Sequence, residues 1–412
     1  MLRVRLLFIA FLVCLDVAVA GHAESEEPKD VPMVVVDENA ASWVVDRFAG
    51  NSSAGPRFFQ GPAREAAIPN KVRIASVGDG EVVFIGSGDS IYRVGPNGIL
   101  RLVAGGGAKL GDCLAREAKI RIEMTTRAFA WSEADKSLYF AHRTIPAVRR
   151  IFERDGEWRV EVVAGSTTEK GHRDGPAREA LFSQPRALDV DDKGTIYIVD
   201  GNHLRRIANG QVTTLNSRMS TGRGGWGSGA PFKDGPLAEA EFNITSITGN
   251  IAVGDEGTLF VADNGNWAVR KIDLKTMTVT TIARSTKKVQ GKRHNEFADG
   301  PALTHASARP GWAYPAWDQV HKALWIAGGD DSRVRWLKDG WVKSVLATKY
   351  GVQAGPRDKA RWPYDSLGVP GEAAAWTWIS PQAVDQRGRL YMSAGSHVGA
   401  WRAYDKKKHA SP

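Results

Sequence analysis

The sequence predicts an all-β fold built from repeated units. Three observations support this prediction: one hexapeptide occurs twice, short β-branched and aromatic runs recur along the chain, and no long segment has helical periodicity. The hexapeptide Gly-Pro-Ala-Arg-Glu-Ala stands at 61–66 and again at 175–180. Related segments begin at residues 115, 237, 302 and 357, so a unit of about 50–65 residues occupies the chain six times.

Strand-like runs follow one another in the same order in each unit. The clearest second strands are 196–200 and 259–263, and each is followed within about ten residues by a run that carries arginine, such as 204–207. Pairs such as Asp155-Gly156 and Asp339-Gly340 are typical of tight hairpins. Each unit is therefore predicted to be one antiparallel sheet.

The last unit reaches residue 404 without an outer strand of its own. Segment 42–50 (SWVVDRFAG) resembles the outer strand predicted at 157–165 (EWRVEVVAG). We therefore expect the N-terminal segment to pair with the last unit, which closes a ring and removes open sheet edges. The prediction is a six-bladed β-propeller of four-stranded blades over residues 41–405, closed by an N-terminal strand that completes the last blade.

Two of the units resemble the NHL repeat. Residues 174–215 contain an Asp-Gly loop, a strand that ends in aspartate, Asn202-His203-Leu204 and an arginine pair, and residues 234–283 are similar. The other four units are degenerate, because the position of Asp200 and Asp263 is taken by Ser87, His142, Gly328 and Gly395. The resemblance implies a propeller. Related propellers are binding platforms in RNA-binding, scaffold and exported sensor proteins, and a minority, such as amidating lyases and gluconolactonase-like hydrolases, are metal enzymes.

The first twenty residues have the layout of a secretory signal peptide. Arg3 and Arg5 precede an apolar run at 6–13, and small residues at 18–20 fit a cleavage site, with cleavage possible up to residue 23. An uncleaved anchor is the alternative, although Asp16 interrupts the apolar stretch. We expect a secreted or periplasmic protein with no membrane span, a flexible segment at 21–40 and a basic tail at 406–412.

The formal net charge is +9, but Lys and Arg are spread along the whole chain. A dispersed excess favours solubility over a nucleic-acid stripe, so nucleic acid is not the predicted partner. Of the two cysteines, only Cys113 lies beyond the leader, so no internal disulfide is expected in the mature chain.

Aromatic and arginine side chains cluster in segments that break the repeat, and they are the ligand-binding candidates. Flat rings beside guanidinium groups stack on sugars and on aromatic peptide side chains, so the predicted ligand is a glycan, a peptide or a partner protein. The alternative is that such rings fill the gaps between blades. The candidates are Arg223, Trp226, Trp267, Arg309, Trp312, Tyr314, Trp317, Arg361, Trp362 and Tyr364.

A second hypothesis is a metal-assisted lyase or hydrolase at the mouth of the central channel. His142, Asp200, Asp263 and His397 fall on or near corresponding turns of four units and could hold Ca²⁺ or Zn²⁺. No cofactor is favoured, however, because no His-x-His or cysteine cluster is present. Asp200 with Arg205 or Arg206, and Asp263 with Arg270, recur at similar spacing, which favours structural ion pairs over a site. The catalytic residues, if any exist, are unknown.

Overall fold

The computed structural model describes residues 42–49, 61–63, 72–78, 80, 82–122, 128–142, 144–201, 203–216, 232–244, 250–266, 268–284, 300–303, 315–328, 333–346, 379–394 and 397–404. Apart from 3₁₀ turns at Ala115–Glu117, Asp255–Gly257 and Asn264–Asn266, every regular element in these ranges is a β-strand. In the same ranges, no helix has the length and apolar character needed to cross a bilayer.

The strands of the first three sheets follow one another in chain order. The first sheet contains β2 (Gly61–Pro62), β3 (Arg73–Val77), β4 (Val82–Ser87), β5 (Ser90–Val94) and β6 (Ile99–Gly105). The second contains β7 (Cys113–Leu114), β8 (Phe129–Ser132), β9 (Ser137–His142), β10 (Ile145–Arg154) and β11 (Glu157–Gly165). The third contains β12 (Gly175–Pro176), β13 (Pro185–Val190), β14 (Ile196–Asp200), β15 (His203–Ala208) and β16 (Gln211–Thr214).

The remaining sheets continue the series, and the last one also receives the N-terminal strand. The fourth sheet contains β17 (Gly235–Pro236), β18 (Asn250–Val253), β19 (Thr258–Asp263), β20 (Ala268–Asp273) and β21 (Thr278–Arg284). The fifth contains β22 (Gly300–Pro301), β23 (Ala316–Asp318), β24 (Ala323–Gly328), β25 (Arg333–Lys338) and β26 (Trp341–Leu346). The last sheet contains β1 (Ser42–Ala49), β27 (Ile379–Val384), β28 (Leu390–Ala394) and β29 (His397–Tyr404).

Tight turns set the register of the hairpins. Asp155 and Gly156 have φ of 54° and 75°, and Asp339 and Gly340 have φ of 49° and 74°. Two consecutive positive φ angles in a two-residue loop define a type I′ turn, whose twist matches that of the flanking strands. Both turns join the third and fourth strands of the main series, as the Asp-Gly pairs predict.

Apolar side chains on both faces of the sheets pack against the next sheet, so the core lies between sheets. The Phe84 ring stacks on Trp131 across the first and second sheets, with the ring centroids 5.3 Å apart. Polar contacts also join neighbouring sheets in chain order: Gly78 N to Glu133 Oε1 (2.7 Å), a parallel bridge between Ala128 and Leu188, Val253 N to Asp189 Oδ2 (2.9 Å), and Trp317 Nε1 to Asp255 Oδ1 (2.7 Å). Sheets stacked face to face in this sequential way form an all-β propeller.

The last sheet contacts the first. Tyr391 is fully buried in the core of the first sheet, and its hydroxyl donates a hydrogen bond to the carbonyl of Gly80 (3.2 Å). The backbone N–H of Gln386 donates to the carbonyl of Gly78 (2.9 Å). Strand β27 lies against both β3 and β23, and therefore contacts the first and the fifth sheets.

The N-terminal strand pairs where the sequence predicts. Strand β1 runs antiparallel to β29 from Ser42 opposite Tyr404 to Ala49 opposite Val398, with an irregularity between Arg47 and Ala49. It is the outer strand of the last sheet, in the position that β6 and β11 hold in the first and second sheets.

The predicted number of strands per blade is wrong for most of the chain. Among the described residues, five sheets have five strands and the last sheet has four. In the third sheet the additional strand is formed by the first two residues of the repeated hexapeptide: Gly175 pairs with Val212 and Pro176 with Gln211 of β16. Proline is tolerated there because a strand at the edge does not need every backbone N–H.

Candidate functional site

The carboxylate of Asp200 lies at the end of β14 and is fully buried. It accepts hydrogen bonds from the backbone N–H groups of Ser183 (2.9 Å) and Gln184 (2.6 Å) and from the hydroxyl of Ser183 (3.1 Å). Nη1 of Arg205 lies 3.3 Å from the same carboxylate. A buried carboxylate needs this number of donors, because burial removes its hydration.

Arg205 is also fully buried and lies between two carboxylates. Besides its contact with the buried carboxylate, it donates from Nη1 to the carbonyl of Leu181 (2.6 Å) and from Nη2 to Asp174 (2.6 Å). Its guanidinium carbon lies 4.6 Å from the centroid of the Phe182 ring. Partial burial opposes ionisation of Asp174, but hydrogen bonds from Thr214 and Arg205 outweigh it and lower the pKa of this carboxyl.

The fourth sheet repeats the arrangement. Asp263 accepts hydrogen bonds from the backbone N–H of Asn243 (2.8 Å) and from Arg270 Nη1 (2.8 Å). Arg270 Nη2 donates to Asp234 (2.7 Å) on its other side. Burial raises the pKa of Asp263, against the opposing effect of hydrogen bonds from Asn266 and Arg270. We call each set an Asp–Arg–Asp cluster: Asp200, Arg205 and Asp174 in the third sheet, and Asp263, Arg270 and Asp234 in the fourth.

These clusters confirm the structural interpretation of the repeated charges. Asp200 pairs with Arg205, whereas Arg206 is exposed on the opposite side of the strand. Asp263 pairs with Arg270. All four side chains are fully buried, so each pair belongs to the packed interior of its sheet.

The second sheet has the arginine of the cluster without the buried carboxylate. Arg149 lies opposite Phe140, two residues before the end of β9, just as Arg205 lies opposite the residue two before the end of β14. Arg149 Nη1 donates to the carbonyl of Lys119 (2.9 Å). The end of β9 is His142, whose Nδ1 accepts a hydrogen bond from the backbone N–H of Thr144 (3.1 Å).

The half-exposed carboxylate of the second sheet is bound by other groups. Asp112 accepts hydrogen bonds from the backbone N–H of Val162 (2.8 Å) and from Nη2 of Arg178 in the third sheet (2.9 Å). No carboxylate of the described residues forms an ion pair with Arg149, which is almost completely buried. Burial therefore lowers the pKa of Arg149 to about 10, with only a small opposing effect from Cys113.

Comparison with known proteins shows which sequences part of the chain resembles. No protein-family model matches the chain. A segment of 105 residues, 25% of the chain, is 31% identical to 9% of Protein SUPPRESSOR OF QUENCHING 1, chloroplastic, of Arabidopsis thaliana. A segment of 173 residues, 42% of the chain, is 30% identical to 21% of NHL repeat-containing protein 2 of Gallus gallus. The matched regions thus span about a tenth and a fifth of the lengths of these curated relatives.

A solved structure supports the same architecture over most of the chain. An auxiliary nutrient binding protein from Bacteroides thetaiotaomicron VPI-5482 superposes with a TM-score of 0.54 at 12% identity, covering 89% of this chain and 78% of that one. At this identity the similarity concerns the fold alone. The chain is an all-β propeller, and part of it is similar in sequence to NHL repeat-containing protein 2. Its two complete Asp–Arg–Asp clusters lie in the two repeats that resemble the NHL pattern in sequence.

Two of the four metal candidates already have hydrogen-bond and ion-pair partners within the protein. Asp200 and Asp263 are both enclosed by N–H donors and an arginine. His142 is half-buried and bonded to Thr144, and His397 is the first residue of β29. Within the described ranges, no group of three or more His, Cys, Asp or Glu side chains could hold a metal ion.

Of the aromatic candidates, the structure describes Trp317. Its ring stacks on Phe260 of the fourth sheet with the centroids 5.1 Å apart, and its Nε1 donates to Asp255 (2.7 Å). Trp317 therefore packs between the fourth and fifth sheets. The other candidates lie outside the described residues: Arg223, Trp226, Trp267, Arg309, Trp312, Tyr314, Arg361, Trp362 and Tyr364.

Sequence reasoning missed two features near the clusters. The rings of His172 and His203 lie 4.0 Å apart by their centroids, and burial together with His172 lowers the pKa of His203. The sequence holds a signal for this contact: His172 is two residues before Asp174, which binds Arg205, and Arg205 is two residues after His203. The second feature is that Arg149 has no ion-pair partner among the described residues. The sequence holds a signal for it, because His142 stands where the third and fourth sheets have an aspartate.

Proposed function

We propose that this NHL-repeat propeller is a noncatalytic binding module, which captures a glycan, a peptide or a partner protein on one loop face. The observation that carries the proposal is the saturation of Asp200 and Asp263, each of which is enclosed by N–H donors and an arginine. Carboxylates held in this way stabilise the sheets and are not available as metal ligands or bases. The auxiliary nutrient binding protein of similar fold is a precedent for a binding role on this architecture.

Recognition then depends on the segments that break the repeat. Trp226, Trp312 and Trp362 lie in such segments, outside the described residues, and their composition supports stacking on sugar or aromatic groups. We propose that these three side chains lie on the same loop face of the propeller.

The test is a triple substitution of Trp226, Trp312 and Trp362 to alanine, measured on glycan and peptide arrays for which the unchanged protein has first given a ligand. We expect the affinity to fall at least about tenfold and the thermal midpoint to stay unchanged. Stacking of a flat ligand group on an aromatic side chain contributes about 1–3 kcal/mol per ring, as for nucleic-acid bases. Trp341→Ala is the matched control, since Trp341 is 60% exposed on the edge of the fifth sheet. Equal affinity of the triple variant and the control would refute the proposal.

The competing hypothesis is a metal-assisted lyase or hydrolase at the channel mouth. Elemental analysis of the purified protein separates the two functions, because such chemistry requires a bound electrophile. Stoichiometric calcium or zinc that is lost on substitution of His142 or His397 would replace the binding proposal.

We further infer that the last sheet is a sixth blade and that β1 closes the ring. Support comes from the pairing of β1 with β29, from the bond between Tyr391 and Gly80, and from the contacts of β27 on both sides. A variant that begins after residue 50 should unfold at a lower temperature, because the outer edge of the last sheet loses its partner. An unchanged unfolding temperature would contradict closure.

We also propose that residues 1–20 direct export to a secreted or periplasmic location. The basic start, the apolar run at 6–13 and the small residues at 18–20 support this. N-terminal sequencing of the protein recovered outside the cytoplasm should begin between residues 21 and 24, and an intact Met1 in that fraction would contradict cleavage.

A further inference from the structure

We propose that Arg149 in the second sheet binds the carboxylate group of a small ligand, at the place where the third and fourth sheets hold Asp200 and Asp263. This site is separate from the aromatic segments of the proposed binding face. Three arginines lie at equivalent backbone positions in the second, third and fourth sheets. Two of them lie between a pair of aspartates, whereas Arg149 forms an ion pair with neither counterpart position among the described residues.

The three arginines occupy the same position in their sheets. Arg149, Arg205 and Arg270 lie opposite Phe140, Ile198 and Val261, and each of these is two residues before the end of the second main strand. Each arginine donates Nη1 to a carbonyl and packs over a ring; these partners are Lys119 and Phe140, Leu181 and Phe182, and Glu241 and Phe242. The carbonyl contact is therefore common to the three sheets. The ring differs, because Phe182 and Phe242 directly follow the carbonyl residue, whereas Phe140 lies on the paired strand β9.

The carboxylates are not conserved between the sheets. Asp200 and Asp263 lie within 3.3 Å and 2.8 Å of their arginines, whereas the equivalent residue of the second sheet is His142. Asp112, the counterpart of Asp174 and Asp234, forms no ion pair with Arg149 among the described residues; its two oxygens accept hydrogen bonds from Arg178 and from the Val162 N–H.

Arg149 is thus a buried cation without a counter-ion among the described residues. It is 1% exposed, and an uncompensated buried charge costs several kcal/mol relative to a paired one. Its Nε is buried without a hydrogen-bond partner, and within the described part of the chain Nη1, bonded to the Lys119 carbonyl, is the guanidinium nitrogen that has one. The titratable group that interacts with Arg149 is the thiol of Cys113. Burial raises the pKa of that thiol, so it is neutral near pH 7 and does not act as a counter-ion.

A carboxylate is the anion that suits this position. In the neighbouring sheets the same guanidinium position accommodates the two-oxygen planar group of an aspartate, and arginine pairs with carboxylates through geometry that matches this shape. The ligand class is therefore a small monocarboxylate, or a larger ligand that presents one.

The test uses sodium acetate as the probe and the thermal midpoint of the full chain as the readout, against sodium chloride at the same ionic strength. Acetate should raise the midpoint by at least about 1 °C, because a ligand that binds only the folded state stabilises it. Arg149→Met should abolish the acetate-specific rise. His142→Asp should raise the midpoint in chloride and also abolish the rise, since it restores the aspartate that the third and fourth sheets have.

A gain-of-function control uses the third sheet. Asp200→Ala leaves Arg205 with one carboxylate fewer and should produce a new acetate response. The proposal is overturned by no acetate response in the unchanged protein, by an equal response in Arg149→Met, or by a response to phosphate without one to acetate, which would exclude the carboxylate class. If Arg149→Met does not fold, the His142→Asp result still decides the outcome.

Discussion

The third and second sheets of the propeller have the same arginine at the same backbone position, in opposite electrostatic environments. Arg205 lies between a buried and a half-exposed aspartate, whereas Arg149 lies near neither. Both donate to a carbonyl and cover a phenylalanine ring. The difference shows that the repeat keeps the arginine and its bond to a carbonyl, whereas the carboxylates and the position of the ring vary between the sheets.

The largest expected effect comes from breaking a complete cluster. Asp263→Ala should lower the free energy of unfolding by about 3 kcal/mol, because Arg270 then remains buried with one carboxylate instead of two. Equilibrium urea unfolding measures the change. Glu153→Ala is the control, since Glu153 is an exposed carboxylate on β10. A loss below about 1 kcal/mol would mean that the buried pair is not the main support of Arg270.

The next effect compares the two arginines directly. Arg205→Met should cost about 3 kcal/mol, because it leaves Asp200 buried without its cation. Arg149→Met should cost less than about 1 kcal/mol in chloride, since it removes a buried charge that has no counter-ion and retains the aliphatic packing on Phe140. Unfolding in urea gives both values. Equal losses would show that Arg149 is as well compensated as Arg205, and the comparison between the sheets would be wrong.

The sequence could predict the clusters because their members are close along the chain. A hairpin with a tight turn has a fixed register, so the recurrence of an aspartate five or seven residues before an arginine in neighbouring repeats indicated pairs. The alternation of side chains along a strand explains why Arg205 faces the aspartate and Arg206 faces solvent. The pairing of β1 with β29 followed from the similarity of 42–50 to a predicted outer strand, and the structure confirms it.

Features that depend on contacts between distant segments could not be predicted. A two-residue strand such as Gly175–Pro176 is too short to have a pattern, so the fifth strand of each main sheet was missed. The isolation of Arg149 depends on Asp112 binding Arg178, which is 66 positions away in the next sheet. The place of Trp317 between two sheets likewise depends on Phe260 and Asp255 of the preceding repeat.

A smaller difference between the third and fourth sheets should appear in their response to pH. His203 lies opposite Asp200, whereas Ala268 lies opposite Asp263. Burial and His172 lower the pKa of His203, although Asp200 and Asp174 oppose this and Arg205 adds to it. The folded state therefore disfavours protonation of His203. The stability that neutral His203 contributes is complete above the unfolded-state pKa of about 6.5 and is lost as the pH falls below it.

The measurement is urea unfolding from about pH 8 to pH 5.5. One full proton of difference would give a slope of about 1.4 kcal/mol per pH unit, and solvent screening at the half-buried His203 reduces it. His203→Ala should flatten the acid side of the profile, and His172→Ala should flatten it less, because it removes only one of the effects that lower the pKa of His203. An acid slope that is the same in all three proteins would assign the loss to other groups.

The smallest effect concerns the contact that separates Asp112 from Arg149. Arg178 and Asp112 are 57% and 47% exposed, so Arg178→Ala should cost no more than about 0.5 kcal/mol and should cost less at high salt. The substitution also releases one oxygen of Asp112, whose counterparts Asp174 and Asp234 bind their arginines at 2.6 and 2.7 Å. Arg178→Ala should therefore weaken the acetate response of the second sheet, because Asp112 becomes available to Arg149. A full acetate response in this variant, with the same small loss of stability, would mean that Asp112 cannot reach Arg149 and that the second sheet differs from the third in its backbone as well as in its charges.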